Sequence, residues 1–367
     1  MSSSAETVLR FEKVSRIFGA FAAVEEIDLS LQRGEVLTLL GPSGCGKTTT
    51  LRMAIGLERA DKGRITYRGA TVDCPSEKVF VAPENRDMGM VFQSYAIWPH
   101  MNVFENVAFP LRTRKVEKSV IDRKVREFLE IVGLAGFEKR SGMQLSGGQQ
   151  QRVAVARGLV ANPDVLLMDE PFSNLDAKLR DQMRVELKLL QRRIGASILF
   201  VTHDQSEAMA ISDRIAVMRS GKVEQIGSPL ELYTKPVVPF VRDFLGHTLK
   251  LPGRIVGRDG QGVRVDLGNG VGLTVGGMNH LTGGADGTAC LVTIRPEEVS
   301  VVDAAQPNAI SATIRTLLFL GQQFEAVVDL PGGRDLLIYL PRLTPWREGQ
   351  QINLLMPAER LQIWDAE

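Results

Sequence analysis

The sequence predicts an α/β domain built on a mainly parallel sheet, followed by a small all-β domain. Three observations carry this. The first is Gly41-Pro42-Ser43-Gly44-Cys45-Gly46-Lys47-Thr48, which fits the phosphate-binding pattern G-x-x-x-x-G-K-[ST] and stands between an apolar run at 35–40 and a helix-like stretch at 49–57. The second is the alternation, as far as about residue 245, of short apolar runs with amphipathic stretches, the pattern of strands and crossover helices. The third is the loss of helical pattern from about residue 249, where short apolar segments recur between Gly, Pro, Asn and Asp.

Taken in order, 8–11 and 27–31 read as strands of an antiparallel layer that feeds the strand at 35–40. Residues 63–69 are another strand candidate, and 88–93 form a short apolar strand that ends in Gln93. Residues 104–160 read as helical, with Val120, Ile121, Val125, Phe128, Leu129 and Val132 at helical spacing. Asn162-Pro163 breaks the pattern before a buried strand at 165–168 that ends in Asp169-Glu170. A polar helix at 177–193 and a buried strand at 197–201, ending in Thr202-His203-Asp204, follow. The domain is expected over 1–240, a linker over 241–248, and a β-barrel over 249–367 with strands at 263–267, 271–275, 288–294, 310–319, 324–330, 335–340, 351–356 and 360–364.

Bulk properties bound the function. The chain has 367 residues, with 44 Lys and Arg against 43 Asp and Glu, a net charge of +1. No charge excess points to nucleic acid, and no nucleic-acid partner is expected. The three cysteines, Cys45, Cys74 and Cys290, are too few and too scattered for a disulfide framework or a zinc site, which fits a reducing, cytosolic compartment. The first residues carry no basic segment followed by an apolar one, so no secretory signal is expected. No run of about 18 apolar residues is present, so a membrane role would come through partner subunits.

The chemistry gathers at the strand ends. Backbone N–H groups of the glycine loop and the helix N-terminus after it favour phosphate oxygens. Lys47 is expected on the β- and γ-phosphates, and the Thr48 hydroxyl on Mg²⁺. Asp169 is placed to hold Mg²⁺, directly or through water, and Glu170 to act as general base on an attacking water. Leu145-Ser146-Gly147-Gly148-Gln149 opens a second helix of the same anion-binding kind. Read locally, it is equally a Ser N-cap with a flexible Gly pair. Local reading leaves open whether both helix starts face one nucleotide.

With these residues in order, the chain resembles the ATP-binding subunits of ABC transporters over about 6–245. The matching motifs are Walker A at 41–48, a Q-loop Gln93, the LSGGQ signature at 145–149, Walker B at 165–170, a D-loop Ser173-Asn174-Leu175-Asp176 and a switch His203. The resemblance implies that two such domains close head to tail as a homodimer. ATP then lies between the 41–48 loop and Thr49 of one chain and Ser146, Gly147, Gly148 and Gln149 of the other. It further implies Gln93 on Mg²⁺ and water, His203 on the γ-phosphate, Asp176 at the dimer interface, and Phe18 stacked on adenine.

The aromatic stretch Ser94-Tyr95-Ala96-Ile97-Trp98-Pro99-His100-Met101 is similar to the groove that receives a membrane subunit in that family. Two transmembrane permease subunits are therefore expected near Tyr95, Trp98 and His100, and aromatic residues are common interface anchors. Ile294-Arg295-Pro296-Glu297-Glu298 and Leu318-Phe319-Leu320-Gly321 make the 249–367 region similar to the accessory OB-like (TOBE) barrel of importer ATPases for sugars, polyamines and ferric iron. The implied protein is a P-loop ATPase on the cytoplasmic face of the inner membrane, peripheral to it. It would energise uptake of a small solute delivered by a solute-binding protein. The sequence around Trp98 leans toward ferric iron or a polyamine, with sugar the alternative. The rival readings are a soluble non-transport ABC ATPase, which would carry a coiled-coil insertion, a second cassette or a basic arm, and an ATP-sensing scaffold, which would lack Glu170, Ser146 or His203.

Overall fold

An apolar run without polar alternation makes a stable strand only where both faces are covered. The computed structural model, which describes residues 6–260, 262–303 and 306–366, gives three such runs that setting. It divides into two units, Met1–Val241 and Arg242–Glu367. The first unit opens with β1 (Thr7–Phe18), β2 (Phe21–Gln32), β3 (Val36–Leu40), α1 (Lys47–Ile55), β4 (Lys62–Tyr67), β5 (Ala70–Cys74), β6 (Val79–Phe80) and β7 (Gly89–Val91). Then come α2 (Val103–Thr113), α3 (Lys118–Ile131), α4 (Gly147–Leu159), β8 (Val165–Asp169), α5 (Ala177–Ile194), β9 (Ser197–Thr202) and α6 (Gln205–Ile211). It closes with β10 (Arg214–Arg219), β11 (Lys222–Gly227), α7 (Pro229–Thr234) and α8 (Pro239–Phe244), the last running across the boundary between the units.

The central sheet has the order β11-β10-β3-β9-β8-β7, parallel except for β11. Every residue of β3, β8 and β9 is buried. Leu166, Met168, Ile198 and Phe200 pack into a core shared with α2 to α5. Leu39, Leu167, Leu199 and Val201 pack on the other side, with α1 and the antiparallel sheet β2-β1-β4-β5-β6. Burying one such side chain is worth roughly 1.5–3 kcal/mol, so the apolar runs commit the sheet to the middle layer.

The helical stretch expected over 104–160 resolves into α2, α3 and α4, with non-helical chain over most of 132–146. The strands β1 and β2 are longer than the runs at 8–11 and 27–31. Register shifts between Phe11 and Val14, and left-handed backbone at Lys13 (φ 48°) and Glu26 (φ 45°), interrupt the period-two pattern inside them. The stretch 241–248, read as a linker, begins within α8, and Val241 and Leu245 are fully buried. Among the described residues no helix is long and apolar enough to cross a membrane.

One buried cation secures the far end of α1. Arg86, 1% exposed, donates from Nη1 to the carbonyls of Met53 (2.7 Å) and Ala54 (2.8 Å), from Nε to Val81 O (2.8 Å) and from Nη2 to Val72 O (3.2 Å). Burial pushes its guanidinium down to about 10, and Asp73 at 4.0 Å opposes that shift. Arg86→Met should cost about 3–5 kcal/mol, because it leaves the buried Asp73 without its cation and removes four hydrogen bonds to backbone carbonyls. The melting temperature should fall by roughly 10 °C. A melt within about 2 °C of wild type would remove Arg86 from the account of this helix.

The second unit holds β12 (Leu249–Asp259), β13 (Gly262–Gly268), β14 (Val271–Val275), β15 (Asn279–His280), β16 (Ala289–Ile294) and β17 (Ser300–Val302). It continues with β18 (Ala309–Phe319), β19 (Gln323–Leu330), β20 (Arg334–Pro341), β21 (Gln351–Leu355) and β22 (Gln362–Asp365). Two sheets, β14-β13-β12-β16-β22-β15 and β17-β21-β18-β19-β20, enclose one apolar core that includes Val265, Val292, Ile314, Val328 and Ile363. The long β12 was not legible because Pro252, Gly253 and Gly257 punctuate it.

Candidate functional site

The parallel sheet sets the site. In register, Leu40 lies beside Thr202, Asp169 beside Val201, and Val91 beside Met168. The loops leaving β3, β9, β8 and β7 therefore start at one level along one edge. They deliver the 41–48 loop, His203, Asp169-Glu170 and Gln93 to neighbouring positions.

Two glycines of the loop, Gly41 and Gly46, are required by close approach. A Cβ on Gly41 would lie 2.2 Å from the Met218 carbonyl of β10, and one on Gly46 would lie 2.3 Å from the Ala23 carbonyl of β2. Gly46 also takes φ 102° as the N-cap of α1, a conformation that L side chains rarely adopt. Lys47 Nζ donates to Gly41 O (2.8 Å) and Pro42 O (2.9 Å), so the ammonium sits inside the curl of its own loop. Cys45 is buried, its Sγ 3.7 Å from that ammonium, whereas Pro42, Ser43 and Gly44 are exposed. Thr49 stands half-buried in the first turn of α1.

Thr48 Oγ1 donates to Asp169 Oδ1 at 3.0 Å. Burial pushes the Asp169 carboxyl up, and the Thr48 hydrogen bond opposes that shift. Among the described residues no group of three His, Cys, Asp or Glu side chains could hold a metal. The donors brought together here are the Thr48 hydroxyl and the Asp169 carboxylate, with the Gln93 amide beside the adjoining Glu170. This is the sparse, hard-oxygen set that Mg²⁺ uses when water and phosphate complete its shell. The residues therefore fit Mg²⁺ bound with a nucleotide.

Glu170 stands beside this pair. Its Oε2 lies 3.1 Å from His203 Nδ1 and accepts from Gln93 Nε2 at 3.3 Å. Its backbone is left-handed (φ 43°), with N donating to Val201 O at 2.9 Å and O accepting from Ser173 Oγ at 3.0 Å. A non-glycine residue held in that region stores strain of the kind that collects at functional sites. Asn174 Nδ2 donates to Gln93 O at 2.9 Å and so joins the D-loop to the Q-loop. That link was not visible in the sequence, where Asn174 was named only as part of the 173–176 stretch with no partner of its own.

Other predicted residues stand apart in this single chain. Ser146 is the N-cap of α4 in a reciprocal box, its Oγ accepting from Gln149 N (3.4 Å) and Gln149 Oε1 accepting from Ser146 N (3.0 Å). Ser146 is exposed, and Gly148 is buried where a Cβ would meet Leu179 Cδ1 at 3.0 Å; Gly147 is half-buried. Among the described residues no hydrogen bond or ion pair joins 146–149 to Lys47, Asp169, Glu170 or His203. Asp176 is exposed and caps α5 by accepting from Leu179 N at 2.9 Å. Phe18 is 44% exposed with the Arg16 guanidinium 4.4 Å from its ring centre. It pairs with Phe21 across the β1–β2 hairpin, and β2 is the strand that brings Ala23 against Gly46.

The aromatic stretch needs a correction. Tyr95 is buried, only 5% exposed, with its hydroxyl unpartnered. Left-handed backbone at Tyr95 and Ala96 turns the chain there, and the ring enters the core among α2–α4 residues. It therefore cannot form a surface contact. Trp98 is half-buried, His100 is exposed, and Phe92 and Phe109 are 39% and 38% exposed. A cavity of about 180 Å³ lies among Phe92, Ala96, Trp98, Pro110 and Arg157.

A family model described as "ABC transporter" matches residues 24–173, and one described as "TOBE domain" matches 292–364. The chain is 42% identical over 359 residues to the spermidine/putrescine import ATP-binding protein PotA of Rubrobacter xylanophilus, covering 98% of this chain and 92% of that one. It is 43% identical over 366 residues to the trehalose/maltose import ATP-binding protein MalK of Thermococcus litoralis, covering 97% of each. It is 42% identical over 330 residues to the Fe(3+) ions import ATP-binding protein FbpC of Rhizobium etli, covering 89% of each. Among solved structures, cbiO1 of Clostridium perfringens, part of the ABC transporter complex cbiONQ, matches with a TM-score of 0.57 at 28% identity. That match covers 62% of this chain and 90% of the other.

Proposed function

The chain belongs to the ABC transporter family as an ATP-binding, ATP-hydrolysing import subunit with a C-terminal TOBE domain, and from that premise we propose how its residues divide the work. The 41–48 loop, Thr49 and Lys47 hold the phosphates of ATP, and Phe18 stacks on the adenine. Thr48, Asp169 and Gln93 hold Mg²⁺. When bound, that ion neutralises charge on the β- and γ-phosphates. Glu170 accepts a proton from the attacking water while His203 and Gln93 fix its carboxylate. The water oxygen bonds to the γ-phosphorus, the bond to the bridging oxygen breaks, and ADP and phosphate leave. The observation that carries this reading is the single Glu170 oxygen flanked by His203 Nδ1 at 3.1 Å and Gln93 Nε2 at 3.3 Å.

The engine is a homodimer in which Ser146, Gly147, Gly148 and Gln149 of each chain complete the other's ATP site, with Asp176 at the seam. Two permease subunits dock at the groove beside Trp98 and His100. They hold the subunit on the cytoplasmic face of the membrane, and a solute-binding protein feeds the complex. The solute follows the partners. Identities of 42 to 43% to polyamine, sugar and ferric-iron relatives do not separate the three, and the lean toward ferric iron or a polyamine rests on the Tyr95–His100 sequence.

Lys47→Ala tests the first step. Removing the cation from the phosphates should raise the Kd for a fluorescent ATP analogue at least about ten-fold. An unchanged Kd would count against the 41–48 loop as the phosphate site.

A further inference from the structure

We propose that Arg157 is a positioning residue for the hydrolytic centre. Its guanidinium holds Tyr95 and Ala96 in a left-handed turn, fixes the loop that starts at Gln93, and ties that loop to the helix that starts at the signature. The proposal rests on the reading of Gln93 and Glu170 given above.

Arg157 lies in the last turn of α4 and is 6% exposed. Nη1 donates to Ala96 O at 2.6 Å and Nη2 to Tyr95 O at 2.7 Å. Its guanidinium carbon sits 4.6 Å from the centre of the Trp98 ring. Among the described residues no carboxylate pairs with it, and burial pushes the group down to about 10. A buried cation without a counter-charge is costly, so the two carbonyls are what make its position tenable.

Those carbonyls belong to an improbable piece of chain. Tyr95 and Ala96 take φ of 60° and 48° in succession, a region non-glycine residues avoid. A planar fork with two parallel donors matches two adjacent acceptors, whereas an ammonium presents a point charge. The next part of the loop is fixed separately. Asn106, fully buried on α2, accepts from Trp98 N at 2.9 Å and donates to Trp98 O at 3.3 Å. Loss of Arg157 therefore leaves the left-handed turn at 95–96 without its tie to α4, while Trp98 stays anchored by Asn106 and Gln93 O keeps its bond from Asn174. Gln93 is the part that matters, because its amide lies 3.3 Å from Glu170. Arg157 thus ties the turn two residues after Gln93 to α4, whose first turn carries Ser146 to Gln149.

The test compares Arg157→Lys, Ala96→Gly, the double variant and Gln93→Ala in the full chain. The readouts are kcat, KM, the Kd of a fluorescent ATP analogue, and the melting temperature. Arg157→Lys should lower kcat at least about ten-fold with the Kd within about two-fold, since misplacement touches the reacting geometry and not the phosphate loop. Ala96→Gly in that background should recover at least about three-fold in kcat, because glycine adopts positive φ without help. Should Arg157→Lys fail to fold, Ala96→Val with Arg157 intact raises the strain at φ 48° directly and should lower kcat at unchanged Kd. A slow Gln93→Ala beside a near-wild-type Arg157→Lys would overturn the proposal. A loss that Ala96→Gly leaves unrepaired would also overturn it, because Arg157 would then support packing alone. Gln93→Ala turning over at the wild-type rate would remove the underlying reading of Gln93, and the proposal with it.

Discussion

Glu170→Gln should lower steady-state ATP hydrolysis about 10³-fold while the Kd for ATP stays within about two-fold. The substitution keeps the side chain's shape and its acceptor toward Gln93 Nε2, but removes the group that takes the proton from water. The phosphate loop, Lys47 and Thr48 are untouched, so ground-state binding has no reason to change. Because ATP is then bound and not consumed, the variant should accumulate as a closed dimer in the presence of ATP. Phosphate release measured under saturating ATP checks the first part. Turnover within about ten-fold of wild type would remove Glu170 as the base.

Ser146→Arg should abolish hydrolysis almost as fully, by a different route. Ser146 is exposed at the start of α4, and in its own chain it makes only the local box with Gln149. If that were its whole role, the substitution would cost a helix cap, about 1 kcal/mol, and leave turnover nearly intact. The composite site makes the opposite demand. The α4 N-terminus must approach the partner's γ-phosphate, and a long side chain at its first position blocks the approach. ATP binding to the separate subunit, through Lys47 and the 41–48 loop, should survive. A Kd near wild type together with hydrolysis below about 1% of wild type is the expected pair of results. Normal turnover would show that Ser146 is a cap and nothing more.

Much of the site was legible because its motifs are short, ordered and tied to strand ends. The 41–48 loop, Asp169-Glu170 and His203 each follow an apolar run that becomes a fully buried strand. What stayed hidden depends on backbone sign and on long-range approach. Nothing in Tyr95-Ala96 announces positive φ, so an aromatic residue expected at the surface lies in the core. The strands β10 and β11 and the helix α6 were not read at all, although the Met218 carbonyl of β10 is what makes Gly41 obligatory. Arg86 and Arg157 look like ordinary surface charges in sequence. Each is buried because backbone carbonyls from distant segments converge on it, and no local pattern records that convergence.

The most direct test of the shared ATP site is the ATP-dependent mass of two variants in sedimentation, Glu170→Gln and Glu170→Gln/Ser146→Arg. The single chain has a mass of 40.3 kDa. With ATP and Mg²⁺, Glu170→Gln should sediment at twice the chain mass. The double variant should bind ATP with the same affinity and remain at the mass of one chain. A double variant that dimerises with ATP as readily as Glu170→Gln would contradict a site completed by the signature of the second chain.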